Sequence, residues 1–434
     1  MVEIVDAAES ERLQRRVAGA LDAAGLVPGD RLALLLPASG GMIAAVLGAL
    51  RRGVVAVPLD PALPAAERAD LLADCRPGLV VDDAAGLARL LSGRPADLAP
   101  APLARPMHYT SGTTGRRKGV WSGVLSGAAA AALLAEETDL WGFEAADRHL
   151  VFSPLYHSAP LRFAMCTLLG GGSVVLPGPF DPAVVRETIA RHRPTTAFCV
   201  PTHLRRLLSG DLPSLASFRL LAHAGEPCPE PLKRDLIARF PAGSVWEFYG
   251  ATEGQFTACP SADWEAHPGT VGRARPGRAL RIDGDGTIWC RVPPHARFGY
   301  WGDDAKTAAA WRGDEFTVGD AGHLDDGGYL YLHGRREDLV ITGGVNVYPR
   351  EVERVLAECP GVDEVAVFGV DDEQWGQRLC AAVVGTASPA ALDAYARDRL
   401  PPARRPKEYH VVADLPRTST GKVRRRDLPA LLSR

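Results

Sequence analysis

The chain has 434 residues, which is too long for one ordinary hydrophobic core and predicts two or three domains. Its 49 Lys and Arg residues nearly balance 52 Asp and Glu residues, and the formal charge of -3 excludes a global field that attracts nucleic acid or an anionic membrane. The eight cysteines are scattered singly, the N-terminus is polar and acidic, and every apolar stretch is too short to cross a bilayer, so we expect a cytoplasmic protein without zinc fingers, disulfides or membrane spans.

The first half of the chain alternates helical and strand patterns. The segment SERLQRRVAGALDAAGL predicts an amphipathic helix with Ser10 as its N-cap. The runs DRLALLLP and GVVAVPLD are typical of buried parallel strands, and GGMIAAVLGALRRG predicts a helix between them. The same alternation continues to RLLAHAG near residue 224, which predicts an α/β fold with helices on both faces of a parallel sheet.

The pattern changes after about residue 270, where short strands separated by Gly and Asp turns predict a small β-barrel-like part. Past Arg335, helices and strands alternate again and predict a small α+β domain. We therefore predict a large N-terminal domain over residues 1–335 and a small C-terminal domain over residues 336–434, with the charged and then glycine-rich segment HGRREDLVITGG at the boundary.

The stretch YTSGTTGRRKGV, residues 109–120, is too polar to be part of a core. It is not a Walker A loop, because Lys118 is followed by Gly119 rather than by Ser or Thr. Its glycines can turn backbone N–H groups inward, and its hydroxyls and lysine add donors, which are the components of a phosphate-binding loop. An ordinary solvated turn has the same composition, so the loop alone leaves both interpretations open.

Four more motifs follow this loop in order: EFYGATEG (247–254), FTVGD (316–320), YLHGRREDLVITGGVNVYPREVE (331–353) and RTSTGKVRRRDL (417–428). With these five motifs nearly the whole chain resembles the adenylate-forming (ANL) superfamily of acyl- and aryl-CoA synthetases, peptide-synthetase adenylation domains and luciferases, and it is most like stand-alone acid–CoA ligases. The resemblance implies that a carboxylate attacks the α-phosphate of ATP, that pyrophosphate leaves, and that CoA then takes the acyl group. ATP and CoA are the implied co-substrates and Mg²⁺ the implied metal.

The resemblance also implies roles for individual residues. Thr252 would hydrogen-bond the α-phosphate, Glu253 would hold Mg²⁺, and Lys422 would bridge the carboxylate and the α-phosphate. His157 would gate the tunnel for the thiol, and Glu337, where Asp or Lys is usual, would be the hinge about which a mobile C-terminal lid rotates. The implied ATP- and AMP-binding residues are Thr110, Ser111, Gly112, Thr113, Thr114, Gly115, Lys118, Gly225, Glu226, Tyr249, Gly250, Asp320 and Arg335.

The implied acid pocket has mainly small or aromatic walls: Ser158, Ala159, Phe163, Ala222, His223, Ala224 and Ala251. No aspartate in PLYHSAPLRF is placed to meet an α-ammonium group, which disfavours an amino acid and favours an aryl or short acyl carboxylic acid. Arg162 or His223 could bind a second polar group of such an acid. Two alternatives stay open: acyl transfer to a carrier protein that acts in trans, and adenylation of another oxyacid such as nitrite, which would diazotise an aryl amine.

Besides Glu337, two more features depart from the family pattern, and another is misleading. Arg117 stands where the loop usually has proline, and the region between VPLDP and the loop is short. Arg424, Arg425 and Arg426 form a basic cluster, but the balanced overall charge predicts a solvated face and no nucleic-acid partner.

Overall fold

The computed structural model describes residues 2–110, 117–417 and 423–433. The chain folds into two compact units, the first comprising Met1–Leu280 with Cys290–Phe316 and the second Arg281–Trp289 with Thr317–Arg434. Residues 281–289 belong to the second unit because Arg336 Nη1 donates to Thr287 Oγ1 (2.9 Å) and the Gly322 amide donates to the Gly286 carbonyl (3.0 Å). The predicted division into domains of residues 1–335 and 336–434 stays a prediction.

The strands of the first unit are, in chain order, β1 (Glu3–Asp6), β2 (Arg31–Leu34), β3 (Val55–Pro58), β4 (Leu79–Val81), β5 (Tyr109–Thr110), β6 (Lys118–Trp121), β7 (Arg148–Leu150), β8 (Ser173–Leu176), β9 (Thr196–Cys199), β10 (Leu220–His223), β11 (Val245–Glu247), β12 (Thr257–Pro260), β13 (Arg273–Ala274), β14 (Ala279–Ile282), β15 (Ile288–Arg291), β16 (Gly299–Tyr300), β17 (Trp311–Arg312) and β18 (Glu315–Phe316). Strands β14 and β15 each have residues in both units. Its helices are α1 (Ala7–Ala23), α2 (Gly40–Arg51), α3 (Ala65–Cys75), α4 (Ala84–Leu91), α5 (Gly127–Trp141), α6 (Ser158–Leu169), α7 (Pro182–His192), α8 (Pro201–Leu208), α9 (Glu230–Arg239), α10 (Ser261–Ala266) and α11 (Asp304–Ala310).

An eight-stranded sheet in the order β1-β8-β7-β9-β10-β11-β12-β13 forms the centre of the first unit. Its inner strands β8, β7, β9, β10 and β11 are parallel, and β1, β12 and β13 are antiparallel additions at its ends. A second parallel sheet has the order β3-β2-β4. These sheets and their helices confirm the predicted α/β fold, and the short antiparallel pairs β15–β18 and β17–β18 fit the turn-rich pattern after residue 270.

Strand β10 separates two apolar clusters. Leu221 packs with Leu204 and Leu236 of helices α8 and α9 on one side of the sheet. Its neighbour Ala222 packs on the other side with an aromatic cluster that includes Phe163. Because successive side chains of a strand point to opposite faces, this strand presents one set of residues to α9 and the other to α6.

Helix α1 begins earlier than the sequence pattern predicts. Asp6, not Ser10, is the N-cap, because its carboxylate accepts from the Glu9 amide at 2.8 Å. Ser10 lies one turn inside the helix, where its buried hydroxyl accepts from the Gln14 side-chain amide at 3.0 Å. The prediction of Ser10 as the cap was wrong because an aspartate four residues earlier supplies a carboxylate, a strong acceptor for first-turn amides.

The second unit is α+β, as predicted. Its strands are β19 (Asp320–Leu324), β20 (Leu330–Arg335), β21 (Val340–Thr342), β22 (Val345–Val347), β23 (Val362–Asp372), β24 (Gly376–Gly385) and β25 (Glu408–Val411), and its helices are α12 (Pro349–Leu356) and α13 (Pro389–Arg399). β19 pairs with β20, the larger sheet has the order β22-β21-β24-β23, and β25 adds in parallel to β24. Gly343 and Gly344 turn the β21–β22 hairpin with φ of 56° and 79°, a conformation that favours glycine.

Within the described residues, none of the helices combines the length and the apolar character needed to cross a lipid bilayer. All eight cysteines are free thiols, and seven of them are buried.

Candidate active site

The small antiparallel sheet β5-β6-β16 holds both ends of the polar loop. Thr110 pairs with Lys118 across β5 and β6, while residues 111–116, and with them Ser111, Gly112, Thr113, Thr114 and Gly115, lie outside the described residues. The Lys118 ammonium lies 3.1 Å from an Asp303 carboxylate oxygen, and Arg117 donates to Glu67 of α3 at 2.8 Å. Each of these loop cations therefore has a carboxylate partner.

Residues 250–255 form a tight turn that presents Thr252 and Glu253. Gly250 bridges to Gln255, and the amides and carbonyls of Ala251 and Gly254 bond reciprocally, at 2.9 and 3.2 Å. A Cβ atom at Gly250 would lie 2.7 Å from the Gly254 carbonyl oxygen, so the turn requires glycine there. Thr252 is half-buried and Glu253 is buried.

Tyr300 of β16 connects this turn to the small sheet. Its hydroxyl donates to Glu253 Oε1 at 2.8 Å, and β16 itself pairs with β6, the strand that carries Lys118. In the part of the chain that the structure describes, no group of three or more His, Cys, Asp or Glu side chains could hold a metal ion. A single carboxylate fits Mg²⁺ that takes its other ligands from phosphate oxygens and water.

Arg105 is a residue of this site that sequence reasoning missed. It precedes β5, and its Nη2 atom donates to the backbone carbonyls of Thr252 (3.1 Å) and Glu253 (3.2 Å). Burial, and then the charge of Arg162, lower the pKa of Arg105 to about 10 against the opposing charges of Glu137 and Glu253, so the guanidinium stays charged at neutral pH. Local patterns give no signal for it, since 147 residues separate Arg105 from Thr252.

The residues implied to bind adenine lie at the ends of β10 and β11. Tyr249 is buried, its ring centroid 4.9 Å from that of Phe256. Gly225 has a φ of +92°, and the Glu226 carboxylate accepts from the Thr202 amide at the start of α8 (2.5 Å). The structure thus brings the carboxyl ends of neighbouring parallel strands together, which is where α/β sheets bind ligands.

Most residues implied to line the acid pocket lie on the α6 side of the central sheet. Phe163, Ala222 and Ala224 are buried in one cluster with Trp141, Phe198 and Phe248, and Ala159 packs against it. The centroids of Phe163 and Phe198 are 5.4 Å apart. Ser158 begins α6, and Ala251 is exposed in the 250–255 turn.

His223 lies on the opposite face of the sheet from this cluster. It is fully buried, and the Lys233 ammonium of α9 lies 2.7 Å from its Nε2 atom and 3.2 Å from a Glu247 carboxylate oxygen. Burial, and then the Lys233 charge, lower the pKa of His223 well below its usual range, so its ring is neutral. The structure does not bring His223 together with Ala222 and Phe163, as the alternation of strand side chains explains.

Two further side chains lie near α6. His157 occupies its N-cap position without a side-chain cap, and its ring lies 4.6 Å from that of Tyr156. Arg162 is half-buried and pairs with the buried carboxylate of Glu137 (3.2 Å), which Arg275 also contacts (2.9 Å). Arg162 therefore does not face open solvent.

The second unit holds the remaining implied residues. Asp320 and Arg335 are direct partners across β19 and β20, and a guanidinium nitrogen of Arg335 lies 3.6 Å from the Asp320 carboxylate. Glu337 is 3.4 Å from both Arg335 and Arg426. Lys422 lies outside the described residues.

Comparison with known proteins gives a consistent result. The profile of the AMP-binding enzyme family matches residues 7–101 and 104–297, and that of the AMP-binding enzyme C-terminal domain matches residues 351–422. The indoleacetate–CoA ligase of Aromatoleum aromaticum is 32% identical over 97% of this chain and 92% of its own length, and a feruloyl-CoA synthase of Amycolatopsis is 33% identical over 96% and 91%. The o-succinylbenzoate CoA synthetase MenE of Bacillus subtilis, solved with its acyl-adenylate intermediate, is 28% identical with a TM-score of 0.86 over 97% of this chain and 92% of its own.

Proposed function

Since the chain belongs to the AMP-binding enzyme family and is an AMP-forming acid–CoA ligase, we propose that it activates an aryl or short acyl carboxylic acid with ATP and transfers the acyl group to CoA. In the first half-reaction a carboxylate oxygen attacks the α-phosphorus of ATP, and pyrophosphate leaves. In the second, the CoA sulfur attacks the acyl carbonyl carbon, and AMP leaves.

One observation supports the assignment of the first half-reaction to named residues. The small sheet β5-β6-β16 and the 250–255 turn bring Lys118, Tyr300, Glu253 and Thr252 into one part of the first unit. This places a loop cation, a buried carboxylate and a hydroxyl near one another, although 134 positions separate Lys118 from Thr252 in the sequence. Such a set can bind a polyphosphate and stabilise the charge that develops on it.

The proposal gives a task to the phosphate-binding residues and to the residues that bind the adenine and the ribose. Lys118 and the 111–115 loop bind the β- and γ-phosphates, and Thr252 donates to an α-phosphate oxygen. Tyr249, Gly225, Glu226 and Gly250 surround adenine, while Asp320 accepts from the ribose hydroxyls beside Arg335. Positioning and charge stabilisation account for most catalysis in reactions at phosphorus, so these contacts are the main contribution of the protein.

Glu253 is the residue that would hold Mg²⁺. A bound Mg²⁺ neutralises charge on the phosphate oxygens. The Tyr300 hydrogen bond occupies Oε1 and restricts the rotation of the carboxylate, which fixes where its second oxygen can bind a ligand. Burial of the carboxylate in the first unit keeps bulk water from competing for that position.

The second half-reaction depends on residues that the sequence assigns by resemblance. Lys422 bridges the carboxylate and the α-phosphate in the first step and is exchanged for the Gly343–Gly344 hairpin by rotation about Glu337. His157, at the N-terminus of α6, gates the path of the thiol. A side chain does not fit at position 343 of the second unit, because a Cβ atom on Gly343 would lie 2.9 Å from the Trp375 ring.

The aromatic cluster supports an aryl substrate. The rings of Phe163, Trp141, Phe198 and Phe248 are buried and pack on one another, and they would form an apolar wall behind the proposed acid pocket. The free thiols and the use of ATP and CoA fit a cytoplasmic location.

The function is tested by measuring AMP release from ATP with a panel of aryl and short acyl acids, each with CoA, a carrier protein or nitrite plus an aryl amine as second reactant. We expect acid-dependent AMP release and a CoA thioester with at least one aryl acid. If no acid supports AMP formation, the proposed function is wrong. If AMP forms but only the carrier is acylated, the proposed acceptor is wrong, and if only nitrite with the amine gives AMP and a diazonium product, the proposed acid is wrong.

Lys422→Ala tests the catalytic lysine separately. We expect pyrophosphate exchange to fall by about 10²-fold or more, as for loss of one preorganised donor to a developing oxyanion, while ATP binding by equilibrium titration stays close to that of the wild type. Substantial exchange activity in this variant would remove Lys422 from the mechanism.

A further inference from the structure

Arg105 binds the backbone of the turn that carries two proposed catalytic side chains. A single nitrogen, Nη2, donates to two consecutive carbonyls, those of Thr252 (3.1 Å) and Glu253 (3.2 Å). These two hydrogen bonds fix two consecutive peptide groups. A backbone rotation that would reorient either side chain therefore breaks a charge-assisted hydrogen bond. The backbone of Arg105 is itself held in place, because its amide donates to Ser122 Oγ at 3.1 Å.

Charged groups of both signs surround this guanidinium. Arg162 repels it, and the carboxylates of Glu137 and Glu253 attract it through space. Glu137 is paired with Arg162 (3.2 Å), and Glu253 accepts a hydrogen bond from the Tyr300 hydroxyl (2.8 Å). Within the described part of the chain, the side-chain hydrogen bonds of Arg105 go to the two carbonyls of the 250–255 turn.

From these contacts we infer that Arg105 is a positioning residue for adenylation: it sets the orientation of Thr252 and Glu253 in the 250–255 turn. Arg105 lies four residues before the start of β5, and β5 leads directly into residues 111–116. The same short segment thus carries the loop at one end and the anchor of the 250–255 turn at the other. This inference rests on the proposed function, because it concerns the residues that the proposal assigns to the α-phosphate and to Mg²⁺.

Arg31 offers a matched control. Its guanidinium also donates to backbone carbonyls, those of Cys75 (2.9 Å), Arg76 (2.6 Å) and Gly29 (3.0 Å), and it is half-buried in the same unit. None of these carbonyls belongs to the proposed site. Removing Arg31 therefore reports the cost of losing a carbonyl-binding arginine that makes no hydrogen bond to the 250–255 turn.

The kinetic test compares Arg105→Met, Arg105→Lys and Arg31→Met in acid-dependent pyrophosphate exchange. We expect Arg105→Met to lower kcat about tenfold or more with less than about threefold change in KM for ATP. Arg105→Lys should recover part of the loss, since an ammonium keeps the charge and N–H donors but lacks the rigid planar geometry of the guanidinium. Arg31→Met should keep kcat. Equal kcat losses in the two methionine variants, or a kcat of Arg105→Met within about twofold of the wild type, would overturn the inference.

A double-mutant cycle tests whether Arg105 acts through Thr252. We expect the loss of kcat in the double variant Arg105→Met, Thr252→Ala to be smaller than the product of the two single losses, because Thr252→Ala has already removed one of the two groups that Arg105 positions. Losses that multiply would show that Arg105 acts independently and would contradict the inference.

Amide hydrogen exchange separates this inference from the proposed function. Arg105→Met should speed exchange in peptides that cover residues 249–256, and Arg31→Met should not, whether or not an acid substrate has been found. Unchanged exchange at 249–256 would overturn the positioning role. A wild type without acid-dependent exchange of pyrophosphate would instead contradict the proposed function alone.

Discussion

At the scale of single residues, the hydroxyl of Tyr300 determines the environment of the Glu253 carboxylate. The hydrogen bond between them is 2.8 Å long and buried, and a hydrogen bond to a charged group is worth more than one between neutral groups. We expect Tyr300→Phe to lower kcat for pyrophosphate exchange about tenfold. The melting temperature should fall by about 2–4 °C, because the ring keeps its shape but the buried Glu253 carboxylate loses a donor.

Tyr409→Phe is the control for Tyr300→Phe. The hydroxyl of Tyr409 is buried and has no hydrogen-bond partner among the described residues, so its removal should leave kcat unchanged and should not lower the melting temperature. If Tyr300→Phe and Tyr409→Phe have the same kcat, the hydrogen bond to Glu253 does not contribute to adenylation.

The ion pair of Lys118 and Asp303 competes with the proposed polyphosphate contact. Lys118 must leave a carboxylate 3.1 Å away to bind phosphate. Asp303 also caps α11 by accepting from the Lys306 amide (2.9 Å), a role that asparagine fills equally well. We expect Asp303→Asn to lower KM for ATP by about two- to fivefold at unchanged kcat, measured at low ionic strength.

High salt is the control for Asp303→Asn. Screening weakens the partly exposed ion pair of Lys118 and Asp303, so the difference in KM for ATP between the variant and the wild type should become smaller. A higher KM in the variant would mean that Asp303 holds Lys118 in the orientation that binds ATP rather than competing with it.

At the scale of elements, Arg425 fastens the C-terminal segment of the second unit to α12. It donates to both carboxylate oxygens of Glu353 (2.8 and 3.1 Å) and lies 3.4 Å from Asp338. The basic cluster was predicted as a solvated face, yet Arg425 is half-buried and paired. We expect Arg425→Met to lower the melting temperature of the second unit by about 3 °C or more, because it leaves the Glu353 carboxylate without its countercharge.

The pH dependence of this effect follows from Glu353. Burial raises the pKa of Glu353, and the Arg425 charge opposes that rise. Without Arg425, the pKa of Glu353 in the folded state lies further above its pKa in the unfolded state. The stability that Arg425→Met loses at neutral pH therefore becomes smaller as the pH falls and the carboxyl group binds a proton. Calorimetry of Arg425→Met at about pH 7.5 and about pH 5 measures this, and Glu353→Gln in the same chain should restore part of the stability at the higher pH. A deficit that grows on acidification would contradict this account.

The elements were more predictable than the contacts between them. Strand β10 was found from a short apolar run, and the alternation of side chains along it also places Ala222 and His223 on opposite faces, although the pocket was first drawn with both. Arg105 and Tyr300 escaped prediction because their partners lie 147 and 47 residues away. Propensity and periodicity act over a few residues, whereas such pairings depend on the whole fold.

At the scale of the whole molecule, the two units carry different numbers of buried histidines. In the first unit, burial lowers the pKa of His108 to about 3, that of His149 to about 3 and that of His203 to about 4, and it holds that of His223 well below its usual range. In the second unit, His333 has a lowered pKa, chiefly through burial. The units are therefore expected to respond differently to acid.

The first unit should lose stability more steeply than the second as pH falls below about 6.5. In that range the unfolded chain binds a proton on each of these histidines while the folded one does not, so stability falls with pH until the folded pKa values are reached. Calorimetric scans between about pH 7.5 and about pH 4.5 should show the transition of the first unit moving to lower temperature faster than that of the second. His149 lies 2.9 Å from Thr196 Oγ1 within a hydrogen bond. His149→Gln, which cannot take up a proton in the unfolded state, should reduce the slope by about one proton. Equal slopes in His149→Gln and the wild type would mean that the buried histidines do not set the acid sensitivity of this unit.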